Sequence, residues 1–171
     1  MYPTRGSFVK LGAGYAPDWF GGENYTGGLF NADLRTFRSL HPQLVLGAQA
    51  VYQTYTAPSV PFYVLAQLGS DQLMRGYYTG RYRDRSLLAF QAELRYRLLP
   101  TIGIAAFGGG GTTYGLARLP APFLKPPYGL GVRYFLDPER GLSLLLDYGI
   151  GEKPPGERRI NGFYFSLGEA F

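Results

Sequence analysis

Residues 86–98 read Ser86-Leu-Leu-Ala-Phe-Gln-Ala-Glu-Leu-Arg-Tyr-Arg-Leu98. The even positions are Leu88, Phe90, Ala92, Leu94, Tyr96 and Leu98, while the odd positions from 91 onward are Gln91, Glu93, Arg95 and Arg97. A period of two belongs to a β-strand, whose successive side chains point to opposite faces. The stretch therefore predicts a strand with one apolar face and one charged face.

The same alternation recurs on both sides of it. In residues 29–38, Phe30, Ala32 and Leu34 oppose Asn31, Asp33 and Arg35, and Leu44, Leu46, Ala48, Ala50 and Tyr52 alternate with Gly47, Gln49 and Gln53. Leu130, Val132, Tyr134 and Leu136 oppose Gly129, Gly131 and Arg133, and Leu142, Leu144, Leu146 and Tyr148 oppose Ser143 and Asp147. With weaker candidates at 7–15 and 102–114 and a last strand at 162–171, the pattern predicts about eight strands. Each is close to the roughly ten residues that cross an outer membrane when tilted.

Composition limits the function classes. The chain of 171 residues is most simply one domain, 1–171, and its 15 Tyr, 12 Phe and 25 Gly favour strands and turns over long helices. It has no Cys, hence no disulfide, thiolate metal site or Cys nucleophile, and its single His41 precedes Pro42. No catalytic constellation, metal site or cofactor site is expected, and an enzyme is not. The formal charge of +5 comes from scattered Lys and Arg, whose longest run is Arg158-Arg159, so a nucleic-acid partner is not expected either. The glycine run 108–111 lacks the Gly-Lys-Ser/Thr of a phosphate-binding loop. It reads instead as a strand section that another backbone approaches closely. No apolar run approaches the roughly 18 residues of a membrane-spanning helix, a limit that leaves a membrane barrel open. The opening Met1-Tyr-Pro-Thr-Arg5 lacks the features of a secretory leader, so an exported protein would be represented here by a mature or partial chain.

Alternation alone fits both a soluble sandwich and a membrane barrel. The connections discriminate. Short ones fall around Leu40-His41-Pro42, Leu99-Pro100 and 137–141, and long ones at 17–24, about 57–85, 115–127 and 152–160. Their strict alternation matches the short periplasmic turns and long external loops of outer-membrane barrels. The economical reading is all-β: a transmembrane antiparallel up-and-down β-barrel of about eight strands, with a soluble ligand-binding barrel as the alternative. Aromatic residues near strand ends, Tyr15, Trp19, Tyr52, Tyr55, Tyr114, Tyr148 and Phe171, fit interfacial girdles.

Two places carry a family likeness. Leu73-Met74-Arg75-Gly76-Tyr77, followed by Gly80-Arg81-Tyr82-Arg83-Asp84, resembles the Arg-Gly-aromatic motif of the sixth external loop in the bacterial outer-membrane assembly and surface-antigen family typified by BamA and TamA. Phe163-Tyr-Phe-Ser-Leu-Gly-Glu-Ala-Phe171 resembles that family's last strand and the β-signal of outer-membrane proteins, carried here by Phe163, Phe165, Leu167 and Phe171. In that family the barrel has sixteen strands and the motif loop joins the eleventh to the twelfth; here the motif lies between the third and fourth of eight. The resemblance thus covers nearly the whole chain and implies the C-terminal half of such a barrel, without periplasmic domains or the first half of the wall.

The resemblance also implies an outer-membrane location and a role in helping other proteins insert into or cross that membrane. It implies that Arg75 of the Arg75-Gly76-Tyr77 motif meets acidic groups on the barrel wall, Glu93 first. Gly109 stands where the family often has a second acid, which leaves Glu93 carrying more of the pairing, with Asp147 as the candidate second acid. The remaining charges of that face, Asp33, Arg35, Arg95, Arg97 and Arg133, are expected to form an interior ion-pair network.

Partners expected on this basis are outer-membrane lipid, the outer-membrane assembly machinery that takes this chain as a client, and a homodimer if two chains join edge to edge. The favoured arrangement is a small closed barrel with reduced or no insertase activity. Residues 7–15 would pair with 162–171, and the motif loop would be displaced outward, with Arg75 at best partly engaged with Glu93, because an eight-stranded lumen is just wide enough for side chains. The alternative is a half-barrel subunit of an insertion or translocation pore, completed by a second chain.

Overall fold

The computed structural model describes residues 3–17, 19, 26–57, 59–115, 124–137, 142–154, 156 and 158–168. All its elements are strands: β1 Gly6–Ala16, β2 Gly27–His41, β3 Leu44–Tyr55, β4 Ala66–Leu68, β5 Tyr82–Asp84, β6 Ser86–Arg97, β7 Ile102–Tyr114, β8 Tyr128–Asp137, β9 Leu142–Ile150 and β10 Asn161–Leu167. Eight form one antiparallel sheet in the order β1-β2-β3-β6-β7-β8-β9-β10, and β4 pairs with β5 as a separate hairpin inside the long connection.

Each neighbour in the large sheet is the next long strand in the chain, as an up-and-down meander requires. The short links are tight. Pro42 and Gln43 alone join β2 to β3, with His41 and Leu44 as the closing pair. Between β6 and β7 the amides of Leu98 and Leu99 both donate to the Ile102 carbonyl, at 3.0 and 2.9 Å. Proline suits the second position of such a turn because its φ is already set and its missing N–H is not needed there.

The polarity of the sheet is the reverse of a water-soluble sandwich. Its outward face carries Phe90, Leu94, Val132 and Leu146, and leaves Leu130 67% and Phe163 76% exposed, whereas the inward residues Glu93 and Arg133 are 0% and 1% exposed. Register explains how the rows form. Ala48, Ala92 and Gly108 stand opposite one another outside, and Gln49, Gln91 and Gly109 inside.

Among the described residues β1 pairs only with β2 and β10 only with β9, so the sheet is open. The expected pairing of 7–15 with 162–171 into a small closed barrel is therefore corrected. Physically, the connection between β3 and β6 is not displaced outward but seated in the concave face, in the volume that closure at eight strands would fill with side chains. Leu68, Met74 and Tyr77 from this connection are fully buried against Tyr55, Leu87 and Ala89 of the wall. Tyr55 thus belongs to the interior core and not to an interfacial girdle, whereas Tyr15 and Trp19 are largely exposed. Burying a side chain the size of Leu or Met contributes about 1.5–3 kcal/mol, so a few such residues are enough to hold a loop in place.

Candidate functional site

The connection approaches the wall through a turn made by its own residues. The Ser70 hydroxyl accepts from the amides of Gln72 and Leu73, at 3.2 and 2.9 Å, and the Ser70 amide donates to the Leu73 carbonyl at 2.8 Å. Met74 then takes a left-handed conformation, with φ of 62°, that β-region residues avoid, and Gly76 follows at φ of 123°. This double reversal points the Arg75 side chain into the concave face. The wall receives it through Gln91, whose side-chain oxygen accepts from the Met74 amide at 3.2 Å while its nitrogen donates to the Gln72 carbonyl at 2.7 Å.

Arg75 is wholly buried. One guanidinium nitrogen donates to Glu93 on β6 and another to Asp147 on β9, so a single fork spans the two intervening strands β7 and β8. The Phe107 ring of β7 lies beneath it, 3.7 Å from the guanidinium carbon to the ring centroid. Both acids are shared. Arg133 on β8 donates to Asp147 and, at 3.1 Å, to Glu93, and Arg95 donates to Glu93 at 2.8 Å. Charges withdrawn from water need this degree of charge-assisted hydrogen bonding, and removing one partner from such a cluster costs about 3–5 kcal/mol.

Close backbone approach makes the geometry reachable. A Cβ added at Gly149 of β9 would lie 2.6 Å from the Gly76 nitrogen and 2.7 Å from the Arg75 carbonyl carbon, so only glycine lets the motif lie flat on β9. Gly109, the position without an acid, packs against the backbone of Phe90 and Gln91. The second carboxylate comes instead from Asp147, two strands further along the wall.

Beyond the ionic cluster, three of the long connections between strands meet at Glu152. Its carboxylate accepts from the Tyr82 hydroxyl and, at 2.9 Å, from the Lys125 ammonium, and its amide donates to the Tyr77 hydroxyl at 2.9 Å. Lys125 also lies 3.8 Å from the Tyr82 ring centroid. Burial is the largest influence on the Tyr77 phenol and pushes it up to about 12, so the hydroxyl stays protonated at any physiological pH.

The structure brings together Arg75, Gly76 and Tyr77 of the motif with Glu93 and Asp147. It sets Phe163, Phe165 and Leu167 apart on the outward face of β10, and Phe171 lies outside the described residues. Asp33 and Arg35 form a separate pair with Gln49 on the β2 and β3 side. Sequence reasoning missed the anchoring roles of Gln91, Gly149 and Glu152, and of Tyr164, whose hydroxyl accepts from the Gly76 amide. Only Tyr164 had a signal, as the bulky polar residue between two apolar ones in the last strand.

A family model described as the Omp85 superfamily domain matches residues 1–171. The chain belongs to the Omp85 superfamily. No curated protein is similar enough to count as a match. The superfamily is one of outer-membrane proteins, and this Omp85 chain is an all-β member of it.

Proposed function

We propose that this Omp85 chain forms one side of the wall of an outer-membrane pore for protein insertion or translocation, with its Arg75 loop as the plug of that side. The observation that carries the reading is the burial of Arg75 between Glu93 and Asp147. A loop held in the concave face by a shared ion cluster is a lumen device, and it leaves the sheet too open to be a complete small barrel. The apolar outward face suits hydrocarbon. The two free edges do not, because each unsatisfied backbone group in lipid costs several kcal/mol. Further strands therefore complete the wall at β1 and β10, in place of direct pairing between those two strands. The assembly machinery would read the apolar positions Phe163, Phe165 and Leu167 when the chain itself is inserted.

The test has two parts. Val9 and Phe165 lie on the outward face at opposite edges. In a chain carrying Val9→Cys and Phe165→Cys, reconstituted sparsely in lipid vesicles, the proposal expects no crosslink within one chain. An efficient intramolecular crosslink would restore the closed eight-stranded barrel, and a monodisperse protein without detergent would remove the membrane reading. Vesicles carrying the protein are further expected to speed the uptake of an unfolded outer-membrane protein over empty vesicles, and Arg75→Ala to reduce that gain. An uptake rate equal to that of empty vesicles would leave a passive wall and remove the assembly role.

A further inference from the structure

The outer edge of β10 has no partner among the described residues, and its pairing with β9 covers seven positions, from Asn161–Ile150 to Leu167–Leu144. The strand turns Phe163, Phe165 and Leu167 outward, so its inward positions are Gly162, Tyr164 and Ser166. Tyr164 is the one large side chain of that inward set. Its hydroxyl accepts from the Gly76 amide at 2.9 Å, next to the arginine that Asp147 holds. Tyr164 and Asp147 are themselves direct partners in the β9–β10 register. The motif therefore grips two adjacent strands in one row: Arg75 takes β9 through a carboxylate, and the Gly76 amide takes β10 through a phenol.

From this geometry we infer that Tyr164 is a positioning residue coupling the docking of the Arg75-Gly76-Tyr77 loop to the pairing of the edge strand β10. Among the described residues the hydrogen bond to Tyr164 joins the motif directly to β10, and it is the means by which occupancy of the concave face reaches the free edge. When the loop is seated, β10 is clamped between β9 and the motif. When the loop leaves, β10 keeps only its seven-residue ladder with β9. Opening or exchange at that edge is then favoured by undocking, and because coupling between two sites is reciprocal, a strand added at the edge of β10 alters the affinity of the wall for the loop. The inference deepens the proposed pore and rests on it, since an edge matters for assembly only if further strands join there.

Hydrogen exchange measured peptide by peptide on the full chain in lipid vesicles tests it. Tyr164→Phe keeps the ring and removes the acceptor. Exchange is expected to rise about tenfold in β10 and in residues 70–77 together, the change that follows from leaving one buried donor without its partner. The β2–β3 peptides should not change, whereas a merely structural role would loosen them too. Arg75→Lys, which leaves Tyr164 intact but loses the two-pronged hold, is expected to raise β10 exchange as well, and it serves if Tyr164→Phe folds poorly. A loosened loop over an unchanged β10, in either variant, would overturn the coupling while leaving the pore reading in place. Equal acceleration across all strands would overturn it too, and a chain that stays soluble without detergent would remove both.

Discussion

The wall has two halves written in the same alternating pattern that end in different physical states. In β2 and β3, Asp33 is bound by Arg35, with a shortest contact of 2.6 Å, and by Gln49 at 3.0 Å, yet the Arg35 and Asp33 side chains keep 32% and 19% of their exposure. In β6 to β9, Glu93 and Arg133 make similar ion pairs and are cut off from solvent. Both halves carry ion pairs on the inward face of alternating strands; the difference is that the Arg75-Gly76-Tyr77 motif seats on the Glu93–Asp147 cluster and not on the Asp33–Arg35 pair. Burial in this protein is thus conferred by a connection, not by packing of the sheet on another layer. Ion pairs of one type acquire different energies according to where that connection lies.

The largest expected effect separates the halves directly. Glu93→Gln removes the charge that three guanidiniums share and should destabilise the lipid-reconstituted protein by about 3–5 kcal/mol. Asp33→Asn should lose only about 0.2–1 kcal/mol, the range of solvent-accessible pairs. Denaturant midpoints of the two variants measure the contrast, and equal losses would break the distinction between covered and uncovered halves.

The outward face should show no such contrast. Leu34 on β2 and Leu94 on β6 are 45% and 40% exposed there. Replacing either by Arg puts a charge where hydrocarbon is proposed, at about 2–4 kcal/mol near the midplane. Similar loss of folding yield in vesicles for Leu34→Arg and Leu94→Arg would show that the halves differ only inside. A tolerant Leu34→Arg would mean that β2 does not face lipid.

These contrasts also show how far the sequence could be read. The alternation in residues 86–98 and the lengths of the connections carried the strands, their order and their two faces, because strand periodicity is a local property. The pairing of Arg75 with Glu93 could be approached from the family likeness, which supplies a long-range constraint. Local periodicity could not supply the rest. Whether the sheet closes depends on what fills its concave face, and the short strands Ala66–Leu68 and Tyr82–Asp84 have no extended alternation to announce them. Gln91 looked like a solvated lumen residue because nothing in its strand reveals that a loop 17 residues upstream hands it the Met74 amide. The Gly149 contact is likewise a backbone approach, which leaves no mark beyond the glycine itself.

Gly149→Ala sharpens the comparison with a smaller perturbation. The added carbon would stand 2.6 Å from the Gly76 nitrogen, so the loop has to lift from β9. Overpacking of this kind costs about 1–3 kcal/mol. Limited proteolysis should then cut residues 57–85 faster, with the β2–β3 region unaffected. Gly14→Ala on β1, where an added Cβ meets nothing within 4 Å, should leave cleavage at its original rate.

The smallest effect concerns the external end of the covered half and depends on pH. Burial by itself would raise the Glu152 carboxyl, but hydrogen bonds from Tyr82 and Lys125, with the charges of Lys125 and Arg81, outweigh it and hold the group below its ordinary 4.5. A carboxyl whose folded value is depressed stabilises the fold fully above its unfolded value and loses that contribution as pH falls through the folded one. The junction of the three long connections should therefore be intact from neutral pH down to about 4.5 and loosen below it. The side chain keeps 28% of its exposure, so partial screening keeps the effect modest. Proteolysis of the long connections by an acid-tolerant protease should accelerate below that point in the native chain. Glu152→Gln should cleave at the faster rate at every pH and lose the dependence, because it removes the titrating group while keeping an acceptor for Tyr82 and the amide that donates to Tyr77. If the variant keeps the full acid response, the sensitivity lies in another carboxylate and Glu152 is not what holds the covered half closed at its outer end.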